Sequence, residues 1–426
     1  MGGVSGVSGV NRTKGGGGPV GAKPVGAKPV GANLLAVRSH NTALVLDLLR
    51  SAGAEGISRL ELADRTGLTP QAVSKITARL REEGFAAEAG RRASTGGKPR
   101  TVLRLVPEAG HAVGTHLDRD ELRAVLVDLD GTVVDERRRA VDLGAGAEAV
   151  LGVVVTEVAG LVGDVLAGVA PEGGPGLAGV ASEDGPGLAG VAPGGGPGPG
   201  KAGSLLGVGV ALPGPLDHTR GVLHRVTGFP DWEGFPMRDA LAERLGVPVV
   251  VDKDTNAAAL GLSVAGEGAG GGSFAYLHLG TGLGAGLVIG GSVHRGARTG
   301  AGEFGHQVIQ LDGPLCECGD QGCVEVLCLE AVRRGDMGEA ARVLGVAAGN
   351  LAGLLDIDAV LLGGRTVGAA PEVFVSGVAE VLAARARREG ALGEAVPVRV
   401  VPRGERVVAE GAAQLLLAPL FGRAGG

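Results

Sequence analysis

GEFGHQVIQLDGPLCECGDQGCVE, residues 302–325, is the stretch richest in chemistry in the chain. His306 is followed by Cys316, Cys318 and Cys323, with glycines at 319 and 322 that let the backbone fold tightly. Three thiolates and one imidazole make a complete tetrahedral set for a closed structural site, and zinc suits that donor mix. All four cysteines fall between Cys316 and Cys328, a clustering that points to metal before disulfide. Cys328 lies among Val326, Leu327 and Leu329 and reads as a core cysteine.

On both sides of this run, from Gly110 onward, strands and helices alternate. Glu121–Asp128 reads as an apolar strand running into a DLDG turn, and Ala147–Leu166 as a helix. Leu205–Leu212 and Val247–Val251 read as buried strands. Phe274–Leu279 and Gly284–Ile289 read as a hairpin about GTGLG, and Ala359–Leu362 as a strand followed by two glycines. The pattern is α/β with two lobes.

The N-terminal part has a different grammar. Leu44, Val45, Leu48 and Leu49 recur at helical spacing. Ser58-Arg59-Leu60-Glu61 reads as a capping box opening a short helix with Leu60, Leu62 and Ala63, which Gly67 ends. Thr69 caps a third helix with Pro70 at its favoured first position. Val73, Ile76 and Leu80 form its expected buried stripe, leaving Gln71, Ser74, Lys75 and Ala78 on the open face. Two short strands, Phe85–Glu88 and Val102–Val106, flank the basic tip GRRASTGGKPR. Together these describe a winged helix-turn-helix that binds double-stranded DNA. Thr69, Gln71, Ser74, Lys75 and Arg79 are the candidate contacts from the third helix, and Arg91, Arg92, Lys98 and Arg100 those from the wing.

Charge supports that division. Residues 1–104 carry a net +9 and the remainder −15, a basic head on an acidic body. Gly 82, Pro 22 and 2% aromatics accompany two low-complexity stretches. Residues 1–33, with a GAKPV repeat, read as a disordered basic tail. Residues 168–202 hold three eleven-residue Gly-Pro-rich copies and read as a flexible insert. No run of eighteen apolar residues and no charged-then-apolar leader pattern is present, so the expectation is a cytoplasmic protein with no membrane partner.

The 302–325 run resembles the signature of the ROK family of repressors and sugar kinases. GVGVALPGPLD (207–217), VVVDKDTNAAALG (249–261), LGTGLGAGLVIGG (279–291) and LLGG (361–364) are similar to further family segments. The resemblance implies a two-lobed, actin-like (ribonuclease-H-like) sugar-kinase fold behind the winged head. It also implies a homodimer or homotetramer. The domains then run 1–33 (tail), 34–106 (head), 107–246 (first lobe, with the insert at 168–202) and 247–426 (second lobe, with the zinc site).

The resemblance also assigns a sugar site. Asp254 matches the kinase base, Asn256 closes the same run, and Glu303, His306 and Glu325 match sugar contacts, His306 doubling as zinc ligand. Lys253 stands where family members carry a sugar-contacting Asn, and Gly228 replaces another Asn ahead of Trp232. In the first phosphate loop, where kinases carry Asp-Ile-Gly-Gly-Thr, this chain has His116-Leu117-Asp118-Arg119-Asp120. Side chains fill the space a triphosphate needs, and two carboxylates repel it. The expectation is therefore a sugar-responsive repressor with no catalytic residue in use. An ATP-dependent sugar kinase with an appended head is the first alternative, and a ligand-blind DNA-binding protein the second.

Overall fold

The computed structural model describes residues 40–92, 100–166, 204–224, 226, 228–268, 272–390 and 395–423. The tail 1–33, the insert 168–202 and Lys98 lie outside the described residues.

In the head, helix α1 (His40–Ser51) buries Thr42, Ala43, Val45, Leu46 and Leu49. Leu44 and Leu48, expected in that stripe, sit half-buried on its flanks. The two-residue strand β1 (Ile57–Ser58) leads into α2 (Arg59–Thr66), which opens with the expected capping box. The Ser58 hydroxyl oxygen accepts the Glu61 amide hydrogen at 3.3 Å, and Glu61 accepts that of Ser58 at 2.8 Å. Gly67 ends α2 in the left-handed region at φ 70°. Leu60 is 44% exposed rather than part of the core.

Helix α3 (Pro70–Glu82) is capped by Thr69 as expected, and its buried stripe is Val73, Thr77 and Leu80. Thr77 takes the central place predicted for Ile76, which is half-buried. A threonine is tolerated there because its hydroxyl donates to the Val73 carbonyl at 2.8 Å, so no buried polar group is left open. Strands β2 (Ala86–Arg92) and β3 (Arg100–Leu105) form the wing, and β1 pairs on the other side of β3.

Strands β4 (Gly110–Leu117), β5 (Glu121–Asp128) and β6 (Val133–Ala140) run antiparallel in sequence. Helix α4 (Ala147–Leu166) then crosses over to β7 (Ser204–Leu212), which lies parallel to β4. After the short pair β8 (Leu216–Asp217) and β9 (Val222–Leu223) comes α5 (Met237–Leu245), and then β10 (Val249–Lys253). The sheet order is β10-β7-β4-β5-β6. Strand β10 thus belongs to the first sheet, although the 246/247 boundary assigns it to the second lobe. Val150, Val154 and Val158 of α4 fill one face against Val113, Leu126 and Val208.

Helix α6 (Asp254–Val264) links to a second sheet of five strands. These are β11 (Phe274–Leu279), β12 (Leu283–Ile289), β13 (Ser292–Val293), β14 (Ala359–Gly363) and β15 (Val398–Val400), in the order β13-β12-β11-β14-β15. Helices α7 (Val324–Arg333), α8 (Met337–Leu355) and α10 (Pro371–Glu389) join its core on one side, with the short α9 (Arg365–Ala369) between β14 and α10. Helices α6 and α11 (Val407–Leu420) join the cluster that reaches the first sheet.

Helix α11 ties the three units together. Its Leu417 and Leu420, with Phe421 beyond, share one core with Val45, Leu49 and Leu105 of the head and with Val125 and Val127 of β5. Its Val408, Ala412 and Leu415 share another with Ala257–Leu260 of α6 and with Phe274 and Tyr276 of β11. The crossing with α6 is made by backbone. A Cβ on Gly411 would lie 2.0 Å from the Ala257 carbonyl oxygen, and one on Gly261 would lie 2.8 Å from the Gly411 Cα. Only glycine fits either position.

Candidate functional site

The cleft between the two sheets gathers the residues that the sequence singles out. β10 ends at Lys253, and Asp254 begins α6, so the strand-to-helix turn points both side chains toward the second lobe. Lys253 is 6% exposed in its side chain, and its ammonium donates to the Ala301 carbonyl at 2.6 Å and to Glu303 at 3.2 Å. Burial pushes the Asp254 carboxyl up to about 7, with Lys253 opposing and Asp118 and Glu303 reinforcing. Glu325, on the first turn of α7, accepts the Leu283 amide hydrogen at 2.7 Å and so holds the β11–β12 turn. Asp254, Glu303, His306 and Glu325 all line one cavity of about 70 Å³.

Asn256 does not join them. It is 2% exposed, and its amide donates to Asp252 at 3.1 Å, one helical turn behind the cleft. Asp252 in turn takes Arg295 at 2.8 Å, with both side chains buried. Asn256 is therefore removed from the expected sugar set and supports the turn that carries Asp254.

The turn matched to the kinases' first phosphate loop has an occupant. Arg365, at the start of α9, forks onto Asp120 at 2.6 and 2.9 Å and reaches Asp118 at 3.3 Å. Asp118 also accepts from the Thr281 hydroxyl and the Arg119 amide, each at 2.8 Å. Asp118, matched to a glycine of the kinase pattern, and Asp120, matched to its threonine, thus bind the second lobe to the first through a guanidinium. Arg119 itself turns toward the Phe229 ring, 5.7 Å away, and toward Glu317 of the cysteine loop at 3.8 Å. Behind them His116 and His278 stand edge to face at 6.0 Å. Burial pushes His116 down to about 4 and lowers His278, so both are neutral near pH 7. Sequence reading missed Arg365, His116 and His278. For Arg365 a signal was present, since it directly follows the LLGG run.

His306, Cys316, Cys318 and Cys323 converge, their donor atoms all within 4.8 Å of one another. Cys318 and Cys323 sulfurs are 3.7 Å apart, and Cys316 Sγ is 3.8 Å from His306 Nδ1. A tetrahedron with metal–sulfur bonds of about 2.3 Å has edges of about 3.8 Å, so the donors fit zinc. Burial and the neighbouring thiols raise Cys316 and Cys323 above the ordinary thiol value, a repulsion that a dication would reverse. Cys323 is also the cap residue of α7, so the cluster anchors the helix that presents Glu325. Cys328 is fully buried and directs its thiol at the Ala340 carbonyl, as expected of a core cysteine.

On the head, Gln71, Ser74, Lys75 and Ala78 are exposed along one face of α3. Thr69 is exposed but its hydroxyl caps the helix, and Arg79 pairs with Glu83 at 3.5 Å. Arg100 is exposed at the tip end of the wing, at the start of β3. Arg91 and Arg92 lie on β2, opposite Thr101 and Arg100.

Known proteins resemble the chain in both parts. A ROK family model matches residues 197–332, and a winged helix-turn-helix DNA-binding model matches residues 44–85. A putative xylose repressor from Caldicellulosiruptor sp. (strain Rt8B.4) is 29% identical over 271 residues, 63% of this chain and 59% of the repressor. The match therefore spans less than two thirds of that relative's length. Among solved structures, a ROK family transcriptional regulator described as a homolog of the E. coli MLC protein covers 90% of this chain and 97% of its own. It superposes with a TM-score of 0.66 at 19% identity. A ROK family glucokinase from Streptomyces griseus, solved with glucose and AMPPNP, covers 72% of this chain and 99% of its own, with a TM-score of 0.54 at 25% identity. Residues 197–332 are thus similar to the ROK family and residues 44–85 to winged helix-turn-helix DNA-binding domains, and the fold is the expected mixed α/β, actin-like sugar-kinase architecture.

Proposed function

We propose that this protein is a sugar-responsive transcriptional repressor that binds operator DNA through α3 and the wing and has no kinase activity. The observation that carries the reading is the pairing of an open polar α3 face with a sugar-type cleft whose phosphate loop is held by Arg365. Gln71, Ser74 and Lys75 face outward where a recognition helix meets base edges, and Arg91, Arg92, Lys98 and Arg100 suit the flanking phosphates. The xylose repressor named above supports the same reading.

In the cleft, Asp254, Glu303 and Glu325 are the sugar acceptors. Each carboxylate can take hydroxyl donors, and Asp254, poised near neutrality, serves as either partner. His306, Cys316, Cys318 and Cys323 would hold zinc, which supplies a rigid cross-link and no chemistry at the sugar. Sugar binding draws Asp254 of α6 toward Glu303 and Glu325 of the second lobe. Operator release follows by linkage, because the heads of a homodimer or homotetramer must match successive grooves. The site of action is the cytoplasm. A gel-shift titration of operator fragments, repeated with a monosaccharide panel, tests this. Sequence-specific binding weakened by one sugar supports it, and binding indifferent to every sugar overturns the responsive part.

One observation favours the kinase alternative: a carboxyl near 7 is what a general base requires. Asp118 and Asp120, saturated by Arg365, argue against it, since phosphoryl transfer is mostly positioning and charge neutralisation.

A further inference from the structure

Residues 118–120 each reach the second lobe by a contact of their own. Asp118 accepts the Thr281 hydroxyl at 2.8 Å and an Arg365 nitrogen at 3.3 Å, and Asp120 accepts both terminal Arg365 nitrogens. Arg119 lies 3.8 Å from Glu317 of the cysteine loop. Asp118 and Arg365 are 16% and 39% exposed in their side chains, and a partly buried network of this kind is screened less than a surface pair.

Two of these contacts run on to Glu325, a carboxylate that the second lobe offers to the cleft. Thr281 sits in the β11–β12 turn, and two residues later the Leu283 amide donates to Glu325 at 2.7 Å. The packing is close, since a Cβ on Gly282 would lie 2.9 Å from a Glu325 oxygen. Thr366, next to Arg365, donates to the Gly280 carbonyl of the same turn at 3.4 Å. Glu317 belongs to the loop that ends at Cys323, the cap of the helix that carries Glu325. Asp254 lines the same cleft from α6, which follows β10 of the first sheet.

We propose that residues 118–120 and Arg365 form an interlobe clasp that positions Glu325 relative to Asp254 for sugar binding, a role that rests on the reading of the cleft as a sugar site. Asp120 and Arg365 do not line that cleft, so they act on a ligand only through the geometry of the groups that do. A site already held in its binding geometry loses less freedom when the ligand arrives, and its affinity is higher for it.

Two measurements on the full chain test the clasp. Hydrogen exchange of the sugar-free protein should be faster at the amides of residues 281–283 in Arg365→Gln and in Asp120→Asn. Calorimetry with xylose and with glucose should show the sugar that binds losing about five- to tenfold in affinity in either variant, with little further loss when the two are combined. Arg365→Lys, which keeps the charge and loses the fork, should fall between parent and Arg365→Gln. Arg342, forked onto Glu339 on α8, supplies the control, and Arg342→Gln should leave both measurements unchanged. Unchanged exchange in both clasp variants would overturn the clasp whether or not either sugar binds. Sugar affinity untouched in both, additive losses, or an equal loss in Arg342→Gln would overturn the positioning role. Binding of neither sugar by the parent, with the exchange response present, would overturn the sugar reading of the cleft and leave the clasp standing as a link between the lobes.

Discussion

The ammonium of Lys253 stands 3.2 Å from the carboxylate of Glu303, and the pair spans the two lobes at the floor of the cleft. Lys253 thereby occupies an acceptor that a sugar hydroxyl would otherwise use. Lys253→Asn should free Glu303 and raise monosaccharide affinity about tenfold by calorimetry. It should also cost about 1–3 kcal/mol of stability in urea unfolding, because a buried charge-assisted contact to the Ala301 carbonyl is lost. Unchanged or weaker sugar binding would show that Lys253 contributes to recognition and does not block it.

The head should separate into two classes of contact. Lys75→Ala and Gln71→Ala each remove base-edge contacts worth roughly 1–3 kcal/mol, so operator affinity falls while non-specific affinity holds. Arg100→Ala should weaken binding to every sequence and flatten its salt dependence. Equal effects of all three on operator and random DNA would remove α3 from the groove.

Metal content gives a third check. Cys318→Ser or Cys323→Ser should abolish stoichiometric zinc by elemental analysis and lower thermal stability, since binding free energy at such a site is folding free energy. Cys328→Ser should keep the metal. Full zinc in the Cys318 variant would exclude the four-donor site.

A coupled ADP-release assay with magnesium, ATP and a monosaccharide panel should show no sugar-dependent turnover. Rates on the order of 1 per second, abolished by Asp254→Asn, would falsify the repressor-only reading.

The pH dependence of stability carries the imprint of Asp254. Its folded-state pKa is raised to about 7 from an ordinary 3.8, so the native chain binds this proton more tightly than the unfolded chain. The contribution is complete below about pH 4 and is lost as pH rises toward 7. Relative to Asp254→Asn, the parent should therefore lose stability across that interval, by at most a few kcal/mol. Parallel stability curves would place Asp254 in a more polar setting.

Elements whose signal is local were readable in the sequence. The capping box at Ser58, the Thr69–Pro70 start of α3 and the cysteine loop each need only neighbours along the chain. The burial of Thr77 in place of Ile76 was not readable, because helical rotation shifts by a residue when a hydroxyl satisfies itself on its own backbone. Asn256 failed for a related reason: adjacency to Asp254 in sequence puts it around the helix, against Asp252. Arg365 lies 245 residues from Asp120, and only the folded sheets bring the two together.

The glycine crossing of α6 and α11 sets how motion travels. Side chains between two helices act as a compressible gasket, changing rotamer to absorb small displacements. At the crossing point Gly411 rests directly on the Ala257 backbone, with no gasket between them. A shift of the helix that begins at Asp254 must drag α11 with it, and beyond the end of α11 Phe421 lies under the Arg50 guanidinium at 4.1 Å. A displacement in the cleft would thus reach the head through a contact of backbone on backbone.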